Sequence, residues 1–312
     1  MINNNSSIWS SFISPKSILG ILISLICLYF VYINFDSDGV LNKIIKIDFM
    51  HFSLAILCLF LSLFVRAYRW NLIFDDESIR KYDLYRAEIL GFWGNSVLPL
   101  KMGELIKFHY AKKLTSKNYT LVFGTILLER LVDFILITPF IFIFQIYFPL
   151  EIILNKVNFF IFLIPICILF YLIYKYLLPR LKENILRNIN KNLIETTIRQ
   201  KYLILSSTIM IWLLIFLNVH FIQASLQLGL TIFDSFSIMI LGTIIYAVPS
   251  LPGGIATFHL AIQEFSIQFL NLSEVSSQAF AFVLHAHSYI FFIILGSYYF
   301  IKDSNQILTF KE

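Results

Sequence analysis

The chain has 312 residues, 58% of them hydrophobic and 14% charged, and its mean hydropathy is +0.79. Soluble domains carry roughly 25% charged residues, so this composition excludes a soluble globular protein and points to a polytopic membrane protein. The net charge of +5 matters less than where the basic residues fall, and nothing points to a nucleic-acid partner.

Lys16 precedes the apolar run Ile18–Phe35. That run is longer than a signal-peptide core and no small-x-small cleavage site follows it, so it reads as an uncleaved first transmembrane helix. Further apolar spans lie near Phe49–Val65, Leu121–Leu150, Val157–Leu178, Tyr202–Leu228 and Gln278–Ile301. Each is about 17 to 30 residues, enough to cross ~30 Å of hydrocarbon, which gives about six full spans. Cys27, Cys58 and Cys167 all fall inside apolar runs, without metal-ligand spacing, and read as packing residues. No loop is long enough to bury a core of its own. The expectation is therefore one integral membrane unit over residues 1–312, multi-pass in the cell (cytoplasmic or inner) membrane.

Two shorter apolar stretches are broken by proline and glycine: Ala87–Leu98 with Glu104–Ala111, and Phe236–Val248 with Ile255–Leu270. Aligned on Pro99 and Pro249, both breaks read Pro-x-x-x-Gly-x-x-x-x-Phe-His, ending at His109 and His259. Backbone broken at membrane depth leaves amides and carbonyls that protein or water must satisfy. Paired breaks in corresponding places mark the binding site of transporters built on inverted repeats. Eight residues of helix rise only about 12 Å, so the pieces around Pro99 cannot both cross and read as a re-entrant hairpin.

Loop charge orients these elements. Arg66, Arg69, Arg80, Lys81 and Arg86 precede the first break, and Lys107, Lys112, Lys113 and Lys117 follow it. Both flanks are basic and read as cytoplasmic, as does the N-terminus. The basic segment Arg180–Lys201 falls on the same side, its apolar residues at helical spacing suggesting an amphipathic helix on the headgroups. One crossing later the second break enters from the opposite face. Arg66, Arg69 and Trp70 read as interfacial anchors.

Three charged residues sit inside the span from Leu121: Glu129, Arg130 and Asp133. At 1.5 Å per residue Glu129 is about 13 Å deep, where a charge implies a partner or an internal pathway. Arg130 and Asp133 are spaced to pair, leaving two roles open: a cluster that fixes helix packing, or an arginine facing an anionic headgroup with Glu129 and Asp133 as orienting or proton-coupling carboxylates. The helices that restart near Gly103 and Gly254 present unpaired amides at a positive dipole end, a ready anion site. Lys101 stands beside the first, and Gly253 and Gly254 allow close approach at the second. Asn95, Ser96, Ser250 or water could equally satisfy those amides. His285 and His287, two apart on a helix, cannot share a face as a chelating pair. No zinc-protease or nucleotide-loop motif is present, so no metal, cofactor or catalytic residue is assigned.

Asn95-x-x-Leu98-Pro99-x-Lys101-x-Gly103-Glu104, Glu129-Arg130-x-x-Asp133 and Pro249-x-x-Pro252-Gly253-Gly254 together resemble the flippase-like membrane domain of lysylphosphatidylglycerol synthases. The resemblance spans nearly the whole chain. It implies a domain that moves a phospholipid between leaflets, with the broken motifs lining the lipid site. Lys101 stands where arginine is usual in that family, keeping the charge but losing the bidentate fork. His259 stands where glutamate is usual, and His285 or His287 lies near a common arginine. The aminoacyl-transferase domain of the two-part synthases is not found in this sequence.

The resulting expectation is an all-α polytopic protein with two opposed re-entrant hairpins and room for an inverted repeat. It translocates an anionic or phosphate-bearing lipid, either a phospholipid or a polyprenyl phosphate. Lipid contacts fall to Asn95, Pro99, Lys101, Gly103, Glu104, Arg130, Pro252, Gly253, Gly254 and His259, with Glu129, Asp133 and His285 as the charge and coupling group. The rivals are a membrane-embedded lipid-modifying enzyme, with Glu104 or Asp133 as base, and an accessory subunit. A second copy or a separate lipid-modifying enzyme would be the protein partner.

Overall fold

The structure, a computed structural model, describes residues 25–31, 33, 35–76, 78–98, 102–115, 117–148, 197–247 and 251–303. Every regular element among them is helical, as a polytopic all-α membrane protein requires. In chain order these are α1 (Ser37–Ile45), α2 (Phe49–Phe74), α3 (Lys81–Val97), α4 (Gly103–Thr115), α5 (Tyr119–Tyr147), α6 (Ile198–Ser225) and α7 (Ile232–Ala247). A 3₁₀ turn at Pro252–Gly254, α8 (Thr257–Leu270) and α9 (Glu274–Lys302) complete the series.

Among the described residues α2, α6 and α9 are long and apolar enough to cross a membrane. The 29-residue α5 is as long but carries Glu129, Arg130 and Asp133 along its middle. These four helices correspond to four of the expected spans. Val157–Leu178 lies outside the described residues, Ile18–Phe35 only partly inside. Of the expected amphipathic segment Arg180–Lys201, residues 180–196 lie outside, and its last residues belong to α6 instead.

Polar side chains at the helix ends take up the amides that a helix leaves unpaired in its first turn. The carboxylate of Asp36 accepts from Gly39 N, the Asn118 amide oxygen from Leu121 N, and the Ser273 hydroxyl from Ser276 N. Asn271 closes α8 in the left-handed conformation that asparagine tolerates. α5 continues across Pro139, and Thr138 bonds back to the Phe134 carbonyl at 2.7 Å beside it.

The chain divides into two compact units. The first comprises Met1–Leu63, Arg86–Lys107 and Leu213–Glu312, and the second Phe64–Tyr85 and Phe108–Trp212. Within the first unit the two broken stretches form the tips of helical hairpins. Around the first tip the helices touch backbone to backbone: a methyl group added at Gly94 would meet Gly103 Cα at 2.7 Å, and one at Gly103 would meet the Gly91 carbonyl at 2.0 Å. Small residues let transmembrane helices approach this closely. One turn further along, Glu88 and Lys107 form an ion pair of 2.7 Å, each 2% exposed at the side chain. In the second hairpin Phe258 of α8 packs against Gly242 and Tyr246 of α7. Asp48 N–H bonds the Ser225 carbonyl, joining the start of α2 to the end of α6. Asn218 of α6 bonds Ala55 O and His287 Nε2 at 2.8 and 2.9 Å. His287 spends its Nδ1–H on the Val283 carbonyl, which fixes Nε2 as the acceptor.

In the second unit Ile73, Leu128 and Ile204 form a buried cluster with Leu72 and Val132 against it. The fully buried Trp70 donates its indole N–H to Thr125 at 3.0 Å, so its polar atom is satisfied inside the core. Outside the helices, Lys117 and Ser78 hold the Asp76 carboxyl down at about 2. Its contribution is complete above the ordinary carboxylate pKa and disappears as pH falls through about 2.

The glycine contacts and the buried pair make two expectations for this hairpin. Gly103→Ala, with no room for a methyl group, should sharply lower the yield of folded protein in detergent, while Gly229→Ala, in open space but at φ 68°, should cost only the backbone strain of about 1–2 kcal/mol. Lys107→Met alone should destabilise by about 3–5 kcal/mol in a denaturation series, whereas Glu88→Leu with Lys107→Met should recover most of that loss.

Candidate functional site

The first break is stabilised from within. α4 begins at Gly103, whose amide donates to the Asn95 side-chain oxygen at 3.0 Å. Asn95 is thus the cap that replaces the missing helical partner, one of the roles its position allowed. Glu104 falls in the first turn of α4, where a carboxylate suits the positive end of the helix. Ser96 is buried and its hydroxyl bonds the Phe92 carbonyl at 3.0 Å. Pro99 and Lys101 lie outside the described residues.

The second break is tighter and more strained. Gly253 and Gly254 have φ of 70° and 79°, conformations glycine adopts without penalty. Ala256 has φ 71° and ψ −51°, in a turn closed by Thr257 N–H on the Ile255 carbonyl at 3.0 Å. A side chain with a Cβ is strained there. The expected restart near Gly254 is corrected: Pro252–Gly254 is a separate 3₁₀ turn, and α8 begins at Thr257. The amides in between are already used. Gly254 N bonds Leu251 O at 2.9 Å, and Ala256 N donates to His259 Nδ1 at 3.4 Å. His259 therefore holds the turn itself, and the second N-terminus offers fewer amides to an anion than the sequence suggested.

The two breaks approach each other within the first unit. Gly253 lies against Ser96, where an added methyl group would stand 3.8 Å from Ser96 Cα. His285 donates Nε2–H to the Gly253 carbonyl at 2.8 Å, and its ring lies 4.7 Å from that of His259. Pro252, Gly253, Gly254, His259 and His285 are thus brought together, with Asn95, Ser96 and Gly103 beside them. His287 points elsewhere, to Asn218, so the two histidines diverge as their spacing required.

The charge cluster belongs to the second unit, and its centre is Arg69. Its guanidinium clasps Asp133 with two bonds, at 2.5 and 3.1 Å, reaches Thr208 at 3.1 Å, and stands 3.5 Å from Glu129. Arg69 and Glu129 are wholly buried. The reading of Arg66, Arg69 and Trp70 as interfacial anchors is therefore corrected: Arg66 is buried, and Arg69 and Trp70 fully so. α2 extends to Phe74, beyond the expected end at Val65, because Leu72-Ile73-Phe74 continue its apolar face past Arg69. That continuation was the signal available in the sequence. Arg130, expected to pair with Asp133, stands 4.0 Å from it with its side chain 44% exposed. Arg69 takes the buried seat, and Arg130 faces outward from it.

Arg69 joins α2, α5 and α6 by a planar fork, which lysine cannot reproduce. Arg69→Lys should therefore lower the unfolding midpoint in detergent nearly as far as Arg69→Ala, while Arg130→Lys leaves it close to that of the unaltered chain. A full rescue by Arg69→Lys would show that charge alone suffices.

Sequence comparison places these features in a family. The chain is 27% identical over 230 residues, 69% of its length and 95% of its counterpart's, to the UPF0104 membrane protein MJ1078 of Methanocaldococcus jannaschii. No solved structure matches it. Residues 17–296 match the lysylphosphatidylglycerol synthase TM region, and the chain belongs to that family of multi-pass membrane proteins.

Proposed function

We propose that this protein carries an anionic or phosphate-bearing lipid between the leaflets of the membrane. The observation that carries the reading is the pair of broken hairpins whose tips meet in one unit, at Ser96 and Gly253. Membership of the lysylphosphatidylglycerol synthase TM region family supports it. Broken helices at a common depth are how transporters expose polar backbone to a substrate without exposing it to lipid tails. In this reading the two hairpins enter from opposite faces and rock about their contact, the geometry of alternating access.

Lys101, next to the first tip, supplies the cation for the headgroup phosphate, with Glu104 orienting it. The guanidinium of Arg130, 44% exposed at its side chain and 4.0 Å from Asp133, is a second cation for the same class of ligand, while Arg69 holds Glu129 and Asp133 more closely. A lysine at position 101 would hold a phosphate through charge alone and accept varied headgroups more readily than an arginine fork. No chemistry on the lipid is proposed.

The test is transfer of fluorescent phosphatidylglycerol across vesicles of phosphatidylcholine and phosphatidylglycerol containing the purified protein. Transfer should exceed that of protein-free vesicles, and Arg130→Ala and Lys101→Ala should each abolish most of it. Failure to move phosphatidylglycerol, phosphatidylethanolamine or a polyprenyl phosphate rejects the proposal. A new lipid species appearing on incubation would favour an enzyme instead.

A further inference from the structure

A helix broken in an apolar medium has carbonyls that lost their partners, and each must find a donor. At the first break the helix α3 ends at Val97, so the Ser96 carbonyl lies in its last turn, where a helix leaves carbonyls to find donors elsewhere. At the second break the Gly253 carbonyl sits in a non-helical residue of the 3₁₀ turn. Both donors come from one helix. Tyr289 O–H donates to Ser96 O at 3.3 Å, and His285 Nε2–H donates to Gly253 O at 2.8 Å.

Tyr289 and His285 are one turn apart on α9 and therefore share a face. Their rings stack at 5.5 Å with 29° between the planes. Tyr289 also touches the second break directly, because a methyl group at Gly253 would fall 2.9 Å from its Cε2. One side chain thus bonds the first break and packs on the second. Lower on the same helix, Ser297 accepts from Trp93 Nε1 at 3.1 Å and Gly296 makes room for that indole. That second contact ties α9 to α3 but touches neither break.

We infer that Tyr289 is a positioning residue that couples the two broken stretches, so that neither tip can shift without the other. The inference rests on the transport reading for its purpose and on hydrogen bonds and packing for its existence. A tyrosine suits the role because its hydroxyl reaches a carbonyl while its rigid ring fills the gap beside a glycine. Movement of the first tip pulls the phenol. The ring then moves against Gly253 and against the imidazole that holds the Gly253 carbonyl.

Amide hydrogen exchange in the full-length protein in lipid nanodiscs tests the coupling without requiring transport. Tyr289→Phe removes one hydroxyl, bonded to the first break only. Exchange should nonetheless rise about fivefold, the loss expected for one ordinary hydrogen bond, in peptides covering both Asn95–Leu98 and Gly254–Thr257. His285→Phe should do the same from the other end, and serves if Tyr289→Phe does not fold. Ser297→Ala should leave Gly254–Thr257 unchanged. Faster exchange confined to the stretch each substitution touches overturns the coupling. In the phosphatidylglycerol vesicle assay Tyr289→Phe should slow maximal transfer while leaving half-saturation by lipid unchanged. If the unaltered protein transfers no lipid, the transport reading fails, and the exchange result still decides the coupling.

Discussion

Unpaired backbone in a medium that offers no hydrogen bonds is the constraint from which the first unit is built. Proline and glycine break the hairpins at residues where a spanning helix would keep every amide and carbonyl paired. What replaces the missing bonds is specific: the Asn95 side chain takes the Gly103 amide, His259 the Ala256 amide, and His285 the Gly253 carbonyl. Each substitute is a side chain from a fixed helix, so the broken backbone is held as firmly as its supports. The glycines at Gly91, Gly94 and Gly103 then allow the arms of the first hairpin to close upon each other.

The second unit answers the companion problem, charge in a low-dielectric interior. Arg69 satisfies Asp133 through both oxygens and lies close to Glu129, turning three costly groups into one cluster that pins three helices. A buried pair of this kind contributes little net stability but makes each partner indispensable to the other. Glu88 and Lys107 repeat the logic in the first unit, across the arms of the first hairpin. Buried charge therefore fixes helix rotation in both units. Arg130, its side chain 44% exposed, is a second and more distant partner of Asp133 at 4.0 Å.

Much of the candidate site was legible because its signals are local. The break between Val97 and Gly103, the turn at Pro252–Gly254 and the capping potential of Asn95 follow from the conformational habits of single residues. Arg69 was not legible in the same way, since a cationic residue past an apolar run of ordinary length matches an interfacial anchor by composition. Its burial depends on α2 continuing to Phe74 and turning that face inward. Arg130 does pair with Asp133, at 4.0 Å, but Arg69 is the closer partner for a related reason. A spacing of three permits a pair on one helix, but an arginine on a neighbouring helix can present a better fork.

The amino-acid sequence by itself determined the all-α membrane class and the approximate places of the main helices and of both breaks. Those properties depend on hydropathy and on backbone chemistry summed over a few consecutive residues. Only the tertiary structure decided that the two tips meet at Ser96 and Gly253, that Asn218 takes His287, and that Arg69 rather than Arg130 clasps Asp133. Such pairings depend on the rotation and depth of helices far apart in the chain. Close packing sets these, and no local pattern of residues encodes them.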